Sequence, residues 1–212
     1  MHEDGYYVPA RTHRVEDIIE RSRFITTLAH TPTADAARDF IDAVRAEFPD
    51  ATHNCWAWVV GPPGSTAAIG MSDAGEPHGT AGRPMLDVLV HADVGDVAAV
   101  VTRYYGGTKL GKGGLVRAYG GGVAHALEDL PRMLKVERDV VAIVVAYSDL
   151  EAVRRLLAEH GAADVGETFT DVVRMMAAVP RHALDTLARE LGDRTAGRAL
   201  IERDPQQANP ER

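Results

Sequence analysis

Between Val100 and Ala118 the chain reads Val-Val-Thr-Arg-Tyr-Tyr-Gly-Gly-Thr-Lys-Leu-Gly-Lys-Gly-Gly-Leu-Val-Arg-Ala. An apolar β-branched run ends in two tyrosines, a glycine-rich stretch with two lysines follows, and an amphipathic segment comes next. No acidic residue lies between Asp96 and Glu128, although the whole chain carries a formal net charge of −8. Glycine-rich backbone at a helix start offers free N–H groups at the positive end of the helix dipole, a setting that favours an anion. Arg103, Gly106, Gly107, Lys109, Lys112, Gly113, Gly114 and Arg117 are therefore the candidate anion- or nucleic-acid-binding residues. The competing reading is that the glycines serve only a tight strand-to-helix connection and the cations are solvated surface.

Nucleotide hydrolysis fits this stretch poorly. Gly106–Gly113 matches the G-x-x-x-x-G-K part of a P-loop but places Gly113 where Ser or Thr must hold Mg²⁺. The dinucleotide fingerprint fails as well, because Gly111-Lys-Gly113 is followed by Val116 rather than by glycine or alanine.

A second group, His53, Asp73, Glu76 and Arg83, is a possible pocket. In a strand, His53 and Cys55 share a face, which raises a thiol nucleophile beside a base. Cys55 also abuts Trp56 in an apolar run, where a buried inert thiol is expected. Asp73 and Glu76 could work as an acid–base pair. They could equally cap turns, or draw Arg83 and Arg103 into salt bridges. The nine histidines are scattered, and neither C-x-x-C nor H-E-x-x-H spacing occurs, so no metal and no cofactor are expected. Tyr104-Tyr105 could stack on a base or simply close the rim of a core.

These residues sit in a chain of 212 with one cysteine, which permits no internal disulfide and fits a reducing cytosol. The N-terminus is neither basic nor apolar enough for a signal peptide. No apolar run approaches the roughly 18 residues of a membrane span, so a cytoplasmic protein without a membrane partner is expected. The acidic balance argues against generic nucleic-acid binding, whereas a local basic patch would bind RNA or phosphate with strong salt dependence.

The elements that position the candidates follow from patterning. Tyr6–Pro9 reads as an edge strand, and Arg14–Glu20 and Ser22–His30 as a strand pair. Thr31-Pro32 is a helix start, and Ala37, Phe40, Ile41, Val44 and Phe48 fall on one helical face, predicting a helix over Thr33–Phe48. His53–Val60 is apolar on both alternating faces, as in a central strand, and Thr66–Met71 returns from it as a hairpin. Ser72–Ala81 is a long polar loop, followed by a short helix opened by Arg83-Pro84. Val97–Tyr104 reads as a doubly buried strand, Gly106–Gly114 as the loop and Leu115–Leu130 as a helix. Gly120-Gly121-Gly122 inside that helix suggests very close packing, since each interior glycine costs about 1 kcal/mol relative to alanine. Arg132–Arg138 reads as a charged connector between domains. Beyond it the pattern is β-α-β-β-α-β, the ferredoxin-like arrangement. The expected organisation is α/β (α+β) in two domains, 1–134 and 138–203, with a disordered tail over 204–212.

Together these stretches resemble the IMPACT family, in its bacterial YigZ-like branch. The matching residues are Ser22-Arg-Phe-Ile25, His53-Asn-Cys55, Ser72-Asp73, Gly75-Glu-Pro77, Gly79-Thr-Ala-Gly82, Pro84-Met-Leu86, Val101 through Gly107, Gly113-Gly-Leu-Val116 and Ala118-Tyr-Gly120. The resemblance implies a first domain like domain 2 of ribosomal protein S5, a sheet with helices on one side. It implies a ferredoxin-like second domain similar to the fifth domain of elongation factor G. Both folds recur in ribosomal proteins and translation factors, so RNA or a ribosome-associated protein is the implied partner. Eukaryotic members, similar only in the first domain, act as translational regulators through a kinase pathway that bacteria lack, and that role does not carry over whole. Lys112 stands where the family commonly has a small residue, and Ala74 where it often has a second acid. The family has no agreed catalytic residues to carry over. The expectation is a translation-associated binding protein; the alternatives are a hydrolase-type enzyme acting on a phosphate-containing or peptide substrate near His53, Asp73 and Glu76, and a protein-interaction module.

Overall fold

The computed structural model describes residues 5–203. The tail over 204–212, expected to be disordered, lies outside them. The chain divides into two compact units, Tyr6–Lys135 and a second that begins at Val136.

The first unit is built on a five-stranded antiparallel sheet in the order β2-β3-β6-β4-β5, formed by β2 (His13–Ile19), β3 (Ser22–His30), β4 (His53–Val60), β5 (Ala68–Ser72) and β6 (Val97–Tyr104). β6 is central, and its near-continuous apolar run fits burial on both faces. Ala57, Val59, Ala99 and Val101 face one core with α2 (Gly82–Val90) and α3 (Gly111–Glu128). The alternate residues Trp58, Ala98 and Val100 face α1 (Ala34–Glu47). Helices thus cover both faces, which corrects the expectation of helices on one side: the apolar stripe Ala37, Ile41 and Val44 of α1 needs its own sheet surface to bury.

Helix α1 begins two residues beyond Thr31-Pro32, because the Thr33 hydroxyl accepts the Ala36 N–H at 3.1 Å and caps the first turn. The expected connector is partly a strand. β7 (Arg132–Lys135) pairs antiparallel with β1 (Tyr6–Pro9), and the Lys135 ammonium bonds the Tyr6 hydroxyl and the buried Asp96 carboxylate. Of the three consecutive glycines in α3, Gly122 is the one that packing demands. A Cβ there would stand 2.7 Å from Thr26 Oγ1, whereas at Gly121 it would meet nothing.

The second unit contains β8 (Arg138–Val145), α4 (Leu150–Glu159), β9 (Ala163–Phe169), β10 (Val173–Pro180), α5 (Leu184–Thr195) and β11 (Leu200–Arg203). Its strands run antiparallel in the order β11-β8-β10-β9. Val141, Ile143, Val145, Met175 and Val179 pack against Val153, Leu156, Leu187 and Leu191 of the helices. This is the ferredoxin-like arrangement.

Candidate functional site

The glycine-rich stretch is split between loop and helix. β6 ends at Tyr104 and α3 begins at Gly111, four residues before the expected start at Leu115, so part of the expected loop is helical. Lys112, Gly113 and Gly114 therefore lie in the first helical turn, whose N–H groups have no intrahelical acceptor. Leu110, at the N-cap, provides no side-chain cap. A Cβ added at Gly107, Gly111 or Gly113 would meet no atom within 4 Å, so the backbone there is open to approach. Gly107 and Gly111 have φ of +87° and +70°, a region that favours glycine. Lys109, Lys112 and Arg117 are exposed, as is Tyr105. Gly106 serves a different purpose: a Cβ there would fall 1.9 Å from the Arg21 carbonyl oxygen, and its N–H donates to Ser22 Oγ at 3.2 Å. Glycine at this position lets the loop lie against the start of β3.

Arg103 does not belong to this exposed set. It is 5% exposed, and Nη1 donates to Glu76 Oε1 at 2.5 Å while Nη2 reaches Ser22 Oγ at 3.4 Å. Its guanidinium lies over the rings of Phe24 and Tyr105, 5.4 and 5.5 Å from their centroids. The physical reason is strand alternation. Arg103 shares a face with Ala99 and Val101, which point into the core beneath α2 and α3. A buried cation of this kind requires a paired, hydrogen-bonded anion. Glu76 supplies it and also accepts the Tyr119 hydroxyl at 2.8 Å. Burial raises the pKa of that phenol, and neighbouring Cys55 and Glu76 raise it further.

The remaining candidates organise one loop. Ala74 and Gly75 turn the chain through positive φ after β5. Two carbonyls then meet β4: Cys55 Sγ donates to the Asp73 oxygen at 2.9 Å, and His53 Nδ1 bonds the Ala74 oxygen at 3.0 Å. A carbonyl only accepts, so His53 Nδ1 carries the proton it donates. Asp73 Oδ1 accepts the N–H groups of Ala81 (3.0 Å) and Gly82 (2.9 Å), and Oδ2 that of Gly79 (2.8 Å). Burial acts to raise the Asp73 pKa, but the three backbone donors, together with His78 nearby, hold the carboxyl below its ordinary range. Asp73 thus closes the N-terminus of α2. Burial pushes the Cys55 thiol up to about 12, which leaves no thiolate at neutral pH and does not support a nucleophile. Arg83 is exposed and pairs with Asp87 at 2.8 Å instead of entering the loop.

The second group of candidates does not share one opening. Asp73 and Arg83 line a shallow pocket of about 390 Å³ with Met71 and His78. His53 lines another, of about 330 Å³, with Arg45, Phe48, Thr52 and Asn54. Glu76 lies beneath, engaged by Arg103 and Tyr119. Sequence reasoning missed Ser22 and Tyr119 as polar partners. Nothing local in the sequence marks Tyr119 as a partner, because its acceptor lies 43 positions away in the chain. Among the described residues no group of three His, Cys, Asp or Glu side chains could hold a metal ion, and no helix is long and apolar enough to cross a membrane.

Residues 20–127 match the family model described as the Impact N-terminal domain, and residues 143–198 match the one described as a domain of unknown function (DUF1949). The IMPACT family member YigZ of Escherichia coli (strain K12) is 41% identical over 194 residues, covering 92% of this chain and 95% of that one. An IMPACT family member from Haemophilus influenzae is 39% identical over 197 residues, covering 93% and 96%. A crystal structure described as that of an hypothetical protein superposes with a TM-score of 0.73 at 39% identity, covering 96% of this chain and 99% of that one. The matched segments include both the glycine stretch and the Arg103–Glu76 pair, and the chain belongs to the IMPACT family.

Proposed function

We propose that this protein is a cytosolic, translation-associated regulator that contacts RNA, free or on the ribosome, through the face running from Tyr105 to Arg117. The observation that carries the reading is the start of α3. Glycine-bare backbone at Gly107, Gly111 and Gly113 is flanked by exposed Lys109, Lys112 and Arg117, with an exposed tyrosine ring alongside. Uncapped first-turn N–H groups suit a phosphate oxygen, the three cations supply the charge, and Tyr105 offers a surface on which a base can stack. Family membership supports a role in translation.

Filter binding of single-stranded RNA against NaCl concentration tests the reading. Three phosphate contacts predict a slope of log K on log[salt] of about −2, falling to about −0.7 in Lys109→Ala/Lys112→Ala. An unchanged slope in that variant, or no salt dependence in the parent protein, would contradict it.

A further inference from the structure

The 330 Å³ pocket beside His53 adjoins the RNA-contacting face. It sits where α1 gives way to β4, with Arg45 and Phe48 on one side, Thr52 and His53 at the strand start, and Ala74 on the other side. Thr52 Oγ1 accepts the Tyr105 N–H at 3.0 Å, so the pocket wall is hydrogen-bonded to the exposed tyrosine that opens the glycine stretch. Resting on the RNA-contacting function proposed above, we infer that this pocket takes one nucleobase of the bound single strand.

The chemistry of the walls suits a base. His53 uses Nδ1 on the Ala74 carbonyl, which fixes the ring and leaves Nε2 for a polar atom on the edge of the base. The Thr52 oxygen is taken by the Tyr105 N–H, which leaves its O–H proton to donate. Arg45 adds guanidinium donors, one of them shared with Asp42 at 3.4 Å, and Phe48, whose ring carries the Arg14 guanidinium 5.0 Å from its centroid, adds apolar surface. The site is a wide, open depression rather than an enclosed cavity, so a flat heterocycle would lie in it with one face toward solvent. Arg103 backs the Tyr105 ring, which remains 46% exposed for stacking on the adjacent base. The strand then continues to Lys109 and Lys112 through its phosphates. Bases splayed from a single strand and read on their edges are the usual route of sequence-selective RNA recognition.

Fluorescence anisotropy with a short single-stranded RNA and its abasic counterpart provides the test. Each accommodated base should contribute about tenfold in affinity, so the parent protein should prefer the base-containing strand by about a hundredfold. Ala51→Trp, which fills the pocket, should reduce that preference to about tenfold and leave the salt slope unchanged. Ala51→Trp/Tyr105→Ala should erase the preference, with urea unfolding used to confirm that each variant is folded. A preference that survives Ala51→Trp undiminished, or a parent protein that binds both strands equally, would overturn the pocket while the phosphate-contacting face stands. Failure of the parent protein to bind either strand would overturn both. The abasic comparison needs no variant, so the inference remains open to refutation even if Ala51→Trp does not fold.

Discussion

Replacing Arg103 by methionine should destabilise the first unit by about 3–5 kcal/mol, the usual effect of removing one partner of a buried ion pair. The structure sets this scale. The Glu76 side chain is 3% exposed, and without the guanidinium its carboxylate keeps only the Tyr119 hydroxyl among the partners seen here. Methionine keeps an unbranched apolar stem but removes the guanidinium that lies over the Phe24 and Tyr105 rings, so the loss combines these contacts with that of the charge partner. Glu76→Leu should do similar damage by stranding the guanidinium, whose Nε already lacks an acceptor. The Arg103→Met/Glu76→Leu protein should cost no more than either single change, whereas independent sites would sum to about 6–10 kcal/mol. Urea unfolding read by tryptophan fluorescence measures this directly, because the chain's two tryptophans, Trp56 and Trp58, both lie in β4 of this unit. The single variants should unfold at about 2 M lower urea. A loss below about 1 kcal/mol in Arg103→Met, or additive losses in the double variant, would refute the claim that Arg103 is a coupled internal residue.

Three further outcomes follow from the geometry. Gly106→Ala forces a Cβ onto the Arg21 carbonyl and should destabilise by about 1–3 kcal/mol or more, whereas Gly113→Ala enters open space in a helix and should stabilise by about 0.5–1 kcal/mol; thermal melts distinguish them. His125 has its pKa raised by its hydrogen bond to Asp17, so the stabilisation it provides is fully present below its ordinary value of about 6.5 and is lost as pH rises through the raised value. Urea midpoints of the parent and His125→Asn should therefore differ most near pH 5–6 and converge at alkaline pH; a pH-independent difference would contradict this. Cys55, buried with its thiol pushed up to about 12, should react with a disulfide reagent only as fast as the unit opens, and rapid reaction of the native protein would contradict its burial.

Much of the fold was legible because it is written in periodicity. The stripe Ala37, Ile41 and Val44 marks α1, and apolar residues on both faces of His53–Val60 mark a central strand. β7 escaped because four residues with a charge at each end, set between Pro131 and Glu137-Arg138, look like linker, and their pairing with β1 spans more than a hundred positions of the chain. Of the candidate site, the placement of some residues was legible. An acid-free basic window on glycine is a local signal, and it located Lys109, Lys112 and Arg117 on an exposed face. Arg103 sits in the same window yet points inward. The parity it shares with Val101 and Ala99 could have placed it with the core, but a cation at a strand end reads as rim until its anion is known. That anion comes from a loop 27 residues away, and the tyrosine that shares it is 43 away from Glu76, distances over which residue spacing carries no geometry. The roles of Asp73 and His53 were open for the same reason, since their partners are backbone groups that only the folded loop presents.

The most direct measurement of the central claim is an amide chemical-shift titration of the whole protein with single-stranded RNA. Saturable shifts at Tyr105, Gly107, Lys109 and the first-turn amides Gly111, Lys112 and Gly113, weakening as salt is raised, are the predicted result. Shifts confined to the second unit, or no shifts at low salt, would contradict it.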